Sequence, residues 1–281
     1  MSIKLENINY IYGKNGPFEK TALKDINLEI GENEFVGIIG HTGSGKSTLI
    51  QLFNGLLKPE SGTVFVDGED INSKGVKIKA IREKVGMVFQ YPEYQLFEET
   101  VYKDIKFGLD NFDFCGDKDL RIRETADVLG IESSMLDSSP FNLSGGQKRR
   151  VAIAGVLALN PKYLVLDEPA AGLDPYGRKV ILDELYKIHK EKKITVILVS
   201  HSMEDIANYA KRIIVMNKGE IAMEGLPAQI FSREEELTQI GLDIPEISKI
   251  TNSLRKKGYH IPEDVFNIKM IADILTGEKN A

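Results

Sequence analysis

Cysteine is nearly absent from this 281-residue chain, where Cys115 stands alone. A single thiol excludes an internal disulfide and a cysteine metal cluster, and suits a chain kept in a reducing compartment. Long apolar runs are missing too. No stretch approaches the roughly 18 residues that a membrane helix needs, and the charged, alternating opening MSIKLENINY does not read as a secretory leader. The expectation is an intracellular chain whose membrane role comes only through partners. An excess of basic charge is also lacking. The formal net charge of −6 argues mildly against a nucleic-acid partner. Neither internal repeats nor low-complexity segments occur. What remains is 42% hydrophobic and 28% charged, the composition of one large globular domain or of a domain with a small appendage.

Hydrophobic patterning separates two kinds of strand. IKLENINYIY (3–12) and ALKDINLEI (22–30) alternate apolar and polar residues, as half-buried antiparallel strands do. FVGIIG (35–40), YLVLDE (163–168) and ITVILVS (194–200) are continuously apolar, as strands of a parallel sheet covered on both faces are. GTVFVDG (62–68) and VGMVFQ (85–90) are further strands, and RIIVMNKGEIAMEG (212–225) reads as a hairpin turning at Asn217-Lys218-Gly219. Helices are expected after Lys46, Ser144, Pro175 and Ser202. The fold class is therefore α/β: a parallel-sheet core, an antiparallel β side sheet, and an inserted helical subdomain at about 91–160. Residues 1–225 form the main domain. Residues 226–281, punctuated by Pro227, Pro245 and Pro262, are a small helical C-terminal extension with too few apolar residues for much of a core, expected to pack on the main domain or on a partner.

Gly40-His41-Thr42-Gly43-Ser44-Gly45-Lys46-Ser47 fits G-x-x-x-x-G-K-[ST] between a buried strand and a helix, which is the phosphate-loop context. Gly43 and Gly45 let backbone N–H groups close on a phosphate, and the helix adds its positive end. Lys46 is expected at the β- and γ-phosphates and Ser47 on Mg²⁺. Asp167 and Glu168 end an apolar strand at the sheet edge where ligands bind. Asp167 suits Mg²⁺, and Glu168 suits a general base for the attacking water. Leu143-Ser144-Gly145-Gly146-Gln147 opens a long helix and makes a second helix-terminus anion site. Two such sites for one ligand imply a head-to-tail dimer, with each nucleotide between one chain's lysine and the other's serine.

LSGGQ followed by YLVLDEP resembles the ATP-binding cassette family, in order over about residues 3–225. The resemblance implies a P-loop NTPase cassette that binds ATP and Mg²⁺ and hydrolyses ATP. It extends the nucleotide contacts to Thr48, and places Tyr12 where an aromatic ring stacks on adenine. Gln90 resembles the glutamine that contacts Mg²⁺ and the attacking water. His201 resembles the switch histidine at the γ-phosphate, and Asp174 in AGLDP the loop that crosses the dimer interface. AGLD lacks the serine of the commoner S-A-L-D, one hydroxyl fewer at that interface.

QYPEYQLFEETV (90–101), Gly155 in KRRVAIAGVLAL and IGLDIPEI (240–247) resemble the ATPases of energy-coupling factor importers, and the second of their two ATPases more than the first. That implies a second related ATPase in a heterodimer, a transmembrane coupling protein docking near 90–101, and a small substrate-binding membrane subunit. The chain would then lie peripherally on the cytoplasmic face of the membrane and drive uptake of a vitamin or a transition-metal ion. A homodimeric ATPase of an ordinary importer, for metal ions or amino acids, is the alternative. A soluble cassette protein acting on DNA or ribosomes is the other, though this chain lacks a long coiled coil and a second fused cassette.

Overall fold

The computed structural model describes residues 1–262, 265 and 271–274. The chain opens with β1 (Ser2–Tyr12) and β2 (Lys20–Gly31), then β3 (Phe35–Ile39), α1 (Lys46–Phe53), β4 (Ser61–Val66) and β5 (Glu69–Asp70). Next come α2 (Ile78–Lys84), β6 (Val85–Val88), α3 (Val101–Asn111), α4 (Lys118–Val128) and α5 (Gly145–Leu157). The second half runs β7 (Tyr163–Asp167), α6 (Pro175–Lys192), β8 (Thr195–Val199), α7 (Met203–Tyr209), β9 (Arg212–Asn217) and β10 (Glu220–Gly225). After them come α8 (Pro227–Phe231), α9 (Glu234–Gln239) and α10 (Glu246–Lys256).

Two sheets organise these elements. β1, β2, β4 and β5 form an antiparallel sheet in the order β2-β1-β4-β5. The central sheet runs β10-β9-β3-β8-β7-β6, parallel from β9 to β6 with β10 antiparallel at the edge. Successive side chains of a strand point to opposite faces, and both faces here are covered. Val36 and Ile38 of β3 join the core beneath the antiparallel sheet, while Phe35 and Ile39 join the core beneath the helices. Tyr163 and Val165 divide from Leu164 and Leu166 in the same way on β7. That two-sided burial explains why these strands read as unbroken apolar runs.

Helix starts follow from their capping residues. Thr100, Asp117, Asp174 and Ser202 accept backbone N–H groups at the first turns of α3, α4, α6 and α7. Residues 91–160 contain helices and 3-10 turns and no strand. α3 and α5 cross closely because both carry glycine there: a Cβ on Gly108 would stand 3.0 Å from the Gly155 carbonyl oxygen.

The C-terminal segment divides its packing. Ile230, Phe231, Leu237, Leu242 and Ile244 enter the helix-side core of the main body, as expected. Ile247, Ile261, Val265 and Ile271 instead form a small cluster of their own, with Leu254 against it. Apolar residues on α10 face later residues of the tail, which periodicity within one helix does not reveal. The remainder of the predicted extension lies outside the described residues.

Candidate functional site

The loop from β3 to α1 carries the phosphate-loop residues. Gly40, Gly43 and Gly45 all have positive φ, and Gly45, at 107°, is the residue from which α1 starts. A Cβ on Gly40 would stand 2.4 Å from the Met216 carbonyl oxygen, so this glycine lets the loop lie against β9. Around Gly43 a Cβ would meet nothing within 4 Å. The open side of the loop is therefore at Gly43. The His41 ring bridges the Thr42 carbonyl at 2.9 Å and Asn217 at 3.2 Å, leaving its backbone to the loop. Ser44 is buried beneath it.

Lys46 is 6% exposed, and its Nζ donates to the carbonyls of Gly40 at 2.6 Å and His41 at 3.1 Å. Burial lowers its pKa, against the pull of Glu168 and Asp167. Tyr12, Thr48, Ser47 and Lys46 share a cleft of about 240 Å³ with Gly43 and Gly45. Tyr12 is 42% exposed there. Its ring packs edge-on against Tyr10, and its hydroxyl shares a 3.1 Å hydrogen bond with Thr48 Oγ1. Lys20, at the start of β2, lines the same cleft and is a residue that patterning did not single out.

Asp167 ends β7, is buried, and carries a pKa raised by that burial and held down by the Ser47 hydroxyl and the Lys46 ammonium. Ser47 and Asp167 thus bring two hard oxygens together beside the phosphate loop. No cluster of three metal-ligating side chains occurs among the described residues. One or two protein oxygens supplemented by phosphate and water is how Mg²⁺ is held at nucleotide sites, and this pair fits it.

Glu168 follows in a left-handed conformation, φ 51°, with its N–H donating to Val199. His201 Nε2 stands 3.4 Å from Glu168 Oε1. Burial first, and the Asp167 carboxylate second, push the Glu168 pKa up to about 7. Burial and the Lys46 charge lower that of His201. A carboxyl group poised near neutrality beside an uncharged imidazole suits proton transfer at pH 7. Gln90 lies just beyond β6 and is exposed.

Leu143 precedes the α5 cap. Ser144 Oγ accepts from Gln147 N at 3.3 Å, and Gln147 Oε1 accepts from Ser144 N at 2.9 Å, a closed capping box. A Cβ on Gly145 or Gly146 would meet nothing within 4 Å, so this terminus is open. None of Leu143–Gln147 lines the cleft of Tyr12 and Lys46. Asp174 is occupied locally, accepting from Tyr176 and Gly177 at the start of α6. The structure brings together Lys46, Ser47 and Asp167, and separately Glu168 with His201 beside them. It leaves the Ser144 terminus outside the cleft that Tyr12 and Lys46 line.

Sequence reading missed the ion pair of buried Arg149 with partly buried Glu93, joined at 2.6 Å. A signal existed: Arg149 stands four residues before Ile153 and so shares the buried face of its helix.

A strand-loop-helix phosphate site beside an Asp-Glu strand end, with an open capped helix terminus elsewhere, defines a nucleotide-hydrolysing cassette. Residues 23–171 match the ABC transporter family, and the chain belongs to that family. It binds ATP and is an ATP-hydrolysing transporter subunit of the energy-coupling factor group. Over all of its length and all of the relative's, it is 54% identical to the energy-coupling factor transporter ATP-binding protein EcfA2 of Caldanaerobacter subterraneus subsp. tengcongensis. Among solved structures, cbiO1 from Clostridium perfringens, part of the ABC transporter complex cbiONQ, matches with a TM-score of 0.75 and 39% identity over 89% of this chain and 98% of its own. A dimeric post-hydrolysis state of the cassette MJ0796, bound to ADP and Pi, matches with a TM-score of 0.72 and 33% identity over 80% of this chain and 98% of its own.

Proposed function

We propose that this chain is one of two related ATPases in an energy-coupling factor importer, closing head-to-tail with its partner around MgATP. One observation carries the dimer: the Ser144 terminus opens to solvent away from the cleft of Lys46, so one chain holds two halves of different sites. Tyr12 stacks on the adenine, while Gly40–Thr48 surround the phosphates. Ser47, Asp167 and Gln90 are the residues that would hold Mg²⁺, and the ion would offset phosphate charge. Lys46 exchanges its loop carbonyls for β- and γ-phosphate oxygens. Glu168 takes the proton of the attacking water, with His201 at the γ-phosphate. Leu143–Gln147 of each chain complete the other's site, and Asp174 crosses between them. Phosphoryl transfer needs this positioning and charge neutralisation more than covalent chemistry.

The chain divides into a cassette at 1–225, with its helical subdomain at about 91–160, and an extension at 226–281. Within that extension Ile247, Ile261, Val265 and Ile271 pack with one another, while Ile230, Phe231, Leu237, Leu242 and Ile244 pack on the cassette. Membrane partners have a place to dock. A hollow of about 380 Å³ lies between β6, α3 and α5, walled by Phe89, Phe97, Phe107 and Phe112 with Gly108 and Gly155 in it. It suits a cytoplasmic helix of a transmembrane coupling protein, which in turn carries a small substrate-binding membrane subunit for a vitamin or a transition-metal ion. Among the described residues no helix is long and apolar enough to cross a membrane, in keeping with a peripheral place on the cytoplasmic face.

The test is affinity purification from native membranes in mild detergent, with identification of co-purifying chains. A second related ATPase, one coupling protein and small membrane subunits are the expected set. A homodimer with one large permease would replace this reading by that of an ordinary importer.

A further inference from the structure

Arg149, two residues beyond LSGGQ, is 2% exposed, yet it is a guanidinium group. Its Nη2 and Nε donate to Glu93 Oε1 at 2.6 Å and Oε2 at 3.0 Å, a two-pronged clasp on one carboxylate. Its Nη1 donates to the Ala171 carbonyl at 2.6 Å. Three chain segments meet on this one side chain. Glu93 sits in the 3-10 turn Pro92–Gln95, directly after Gln90 and Tyr91. Arg149 itself belongs to the first turns of α5, which Ser144 caps. Ala171 opens the AGLD turn that leads to Asp174. The outer two segments also pass close to each other: the Tyr91 ring lies 3.8 Å from where a Cβ on Gly172 would be.

Burying an ion pair contributes little net stability, because desolvation offsets the attraction. What the fork does impose is geometry, since a planar guanidinium with all three contacts made fixes the relative placement of its partners. The aromatic hollow borders the same junction on both sides, through Gln95, Leu96 and Phe97 from the Glu93 segment and Val151, Ala152 and Gly155 from α5.

We propose that Arg149 is a positioning residue that makes the Gln90 turn, the signature helix and the AGLD turn move as one body. A displacement at the hollow then reaches Ser144 and Asp174 together, rather than bending the Gln90 turn alone. The roles of Gln90, Ser144 and Asp174 rest on the reading above; the mechanical linkage does not.

Two variants of the full-length chain test it. Glu93→Gln removes the carboxylate charge and one prong of the clasp without touching Ala171. Hydrogen exchange followed by mass spectrometry is expected to speed up at least fivefold in residues 91–97 and also in 170–174, with 40–48 unchanged. Arg149→Lys keeps the charge and loses the fork; its kcat for ATP is expected to fall at least tenfold with the ATP dissociation constant within twofold of the parent. Faster exchange confined to 91–97 overturns the proposal, and so do kcat and ATP affinity falling together. Should Arg149→Lys fail to fold, the exchange measurement on Glu93→Gln decides alone. A different set of membrane partners would overturn the importer reading and leave this result standing.

Discussion

His201 Nε2 and Glu168 Oε1 lie 3.4 Å apart across the end of the central sheet, with opposite shifts from their ordinary acidities. Burial raises the carboxyl pKa to about 7 and lowers that of the imidazole. Each is thereby held toward its uncharged form, and the carboxyl group titrates at about 7. A base must shed its proton before it can accept one. ATPase kcat/KM is therefore expected to rise with pH through about 7 as Glu168 ionises. A rate profile flat from about pH 6 to 8 would remove Glu168 from the base role. Glu168→Gln should retain ATP and lose about 10²-fold or more in kcat.

The same shift has a consequence for stability without nucleotide. Glu168 binds its proton more tightly folded, at about 7, than unfolded, at 4.5. The folded state is then favoured below the ordinary value and loses that advantage as pH rises through about 7. Glu168→Gln should raise the melting temperature at pH 8, by on the order of 2 kcal/mol in stability, and leave it little changed near pH 5. An equal effect at both pH values would contradict the burial of this carboxylate.

Two glycines should respond oppositely to alanine. A Cβ on Gly40 would press on the Met216 carbonyl and Ser44 Oγ at 2.4 and 2.5 Å. Gly40→Ala is expected to cost about 2–4 kcal/mol of stability. Around Gly146 a Cβ meets nothing within 4 Å, so Gly146→Ala should melt within about 0.5 kcal/mol of the parent while ATPase activity falls at least tenfold. Parental activity in that variant would mean that no nucleotide closes on the Ser144 terminus.

Tyr12 separates stacking from hydrogen bonding. Tyr12→Phe removes only the 3.1 Å bond to Thr48 Oγ1, and ATP affinity should stay within about threefold. Tyr12→Ala removes the ring and should weaken binding by about 1–3 kcal/mol. Calorimetric titration with ATP distinguishes the two, and equal losses would assign the effect to the hydroxyl.

Much of this protein was legible in its residues because the determinants are local. Covered parallel strands announce themselves as apolar runs such as YLVLDE, and a phosphate loop needs glycine, lysine and serine at set spacings around one turn. The capping box of Ser144 and Gln147 spans four residues, so its motif sits in one stretch of chain. Tertiary structure alone decided what depends on distant segments meeting. It placed Asp167 beside Ser47 and His201 beside Glu168, and with that burial set the acidity of Glu168. It turned Arg149, by sequence one more charge after LSGGQ, into the buried junction with Glu93 and Ala171. It also packed Ile230 to Ile244 of the C-terminal segment on the main core and gathered Ile247, Ile261, Val265 and Ile271 in a cluster of their own. Spacing within a segment constrains backbone geometry and capping. Desolvation and the pairing of charges depend on which segments fold against each other.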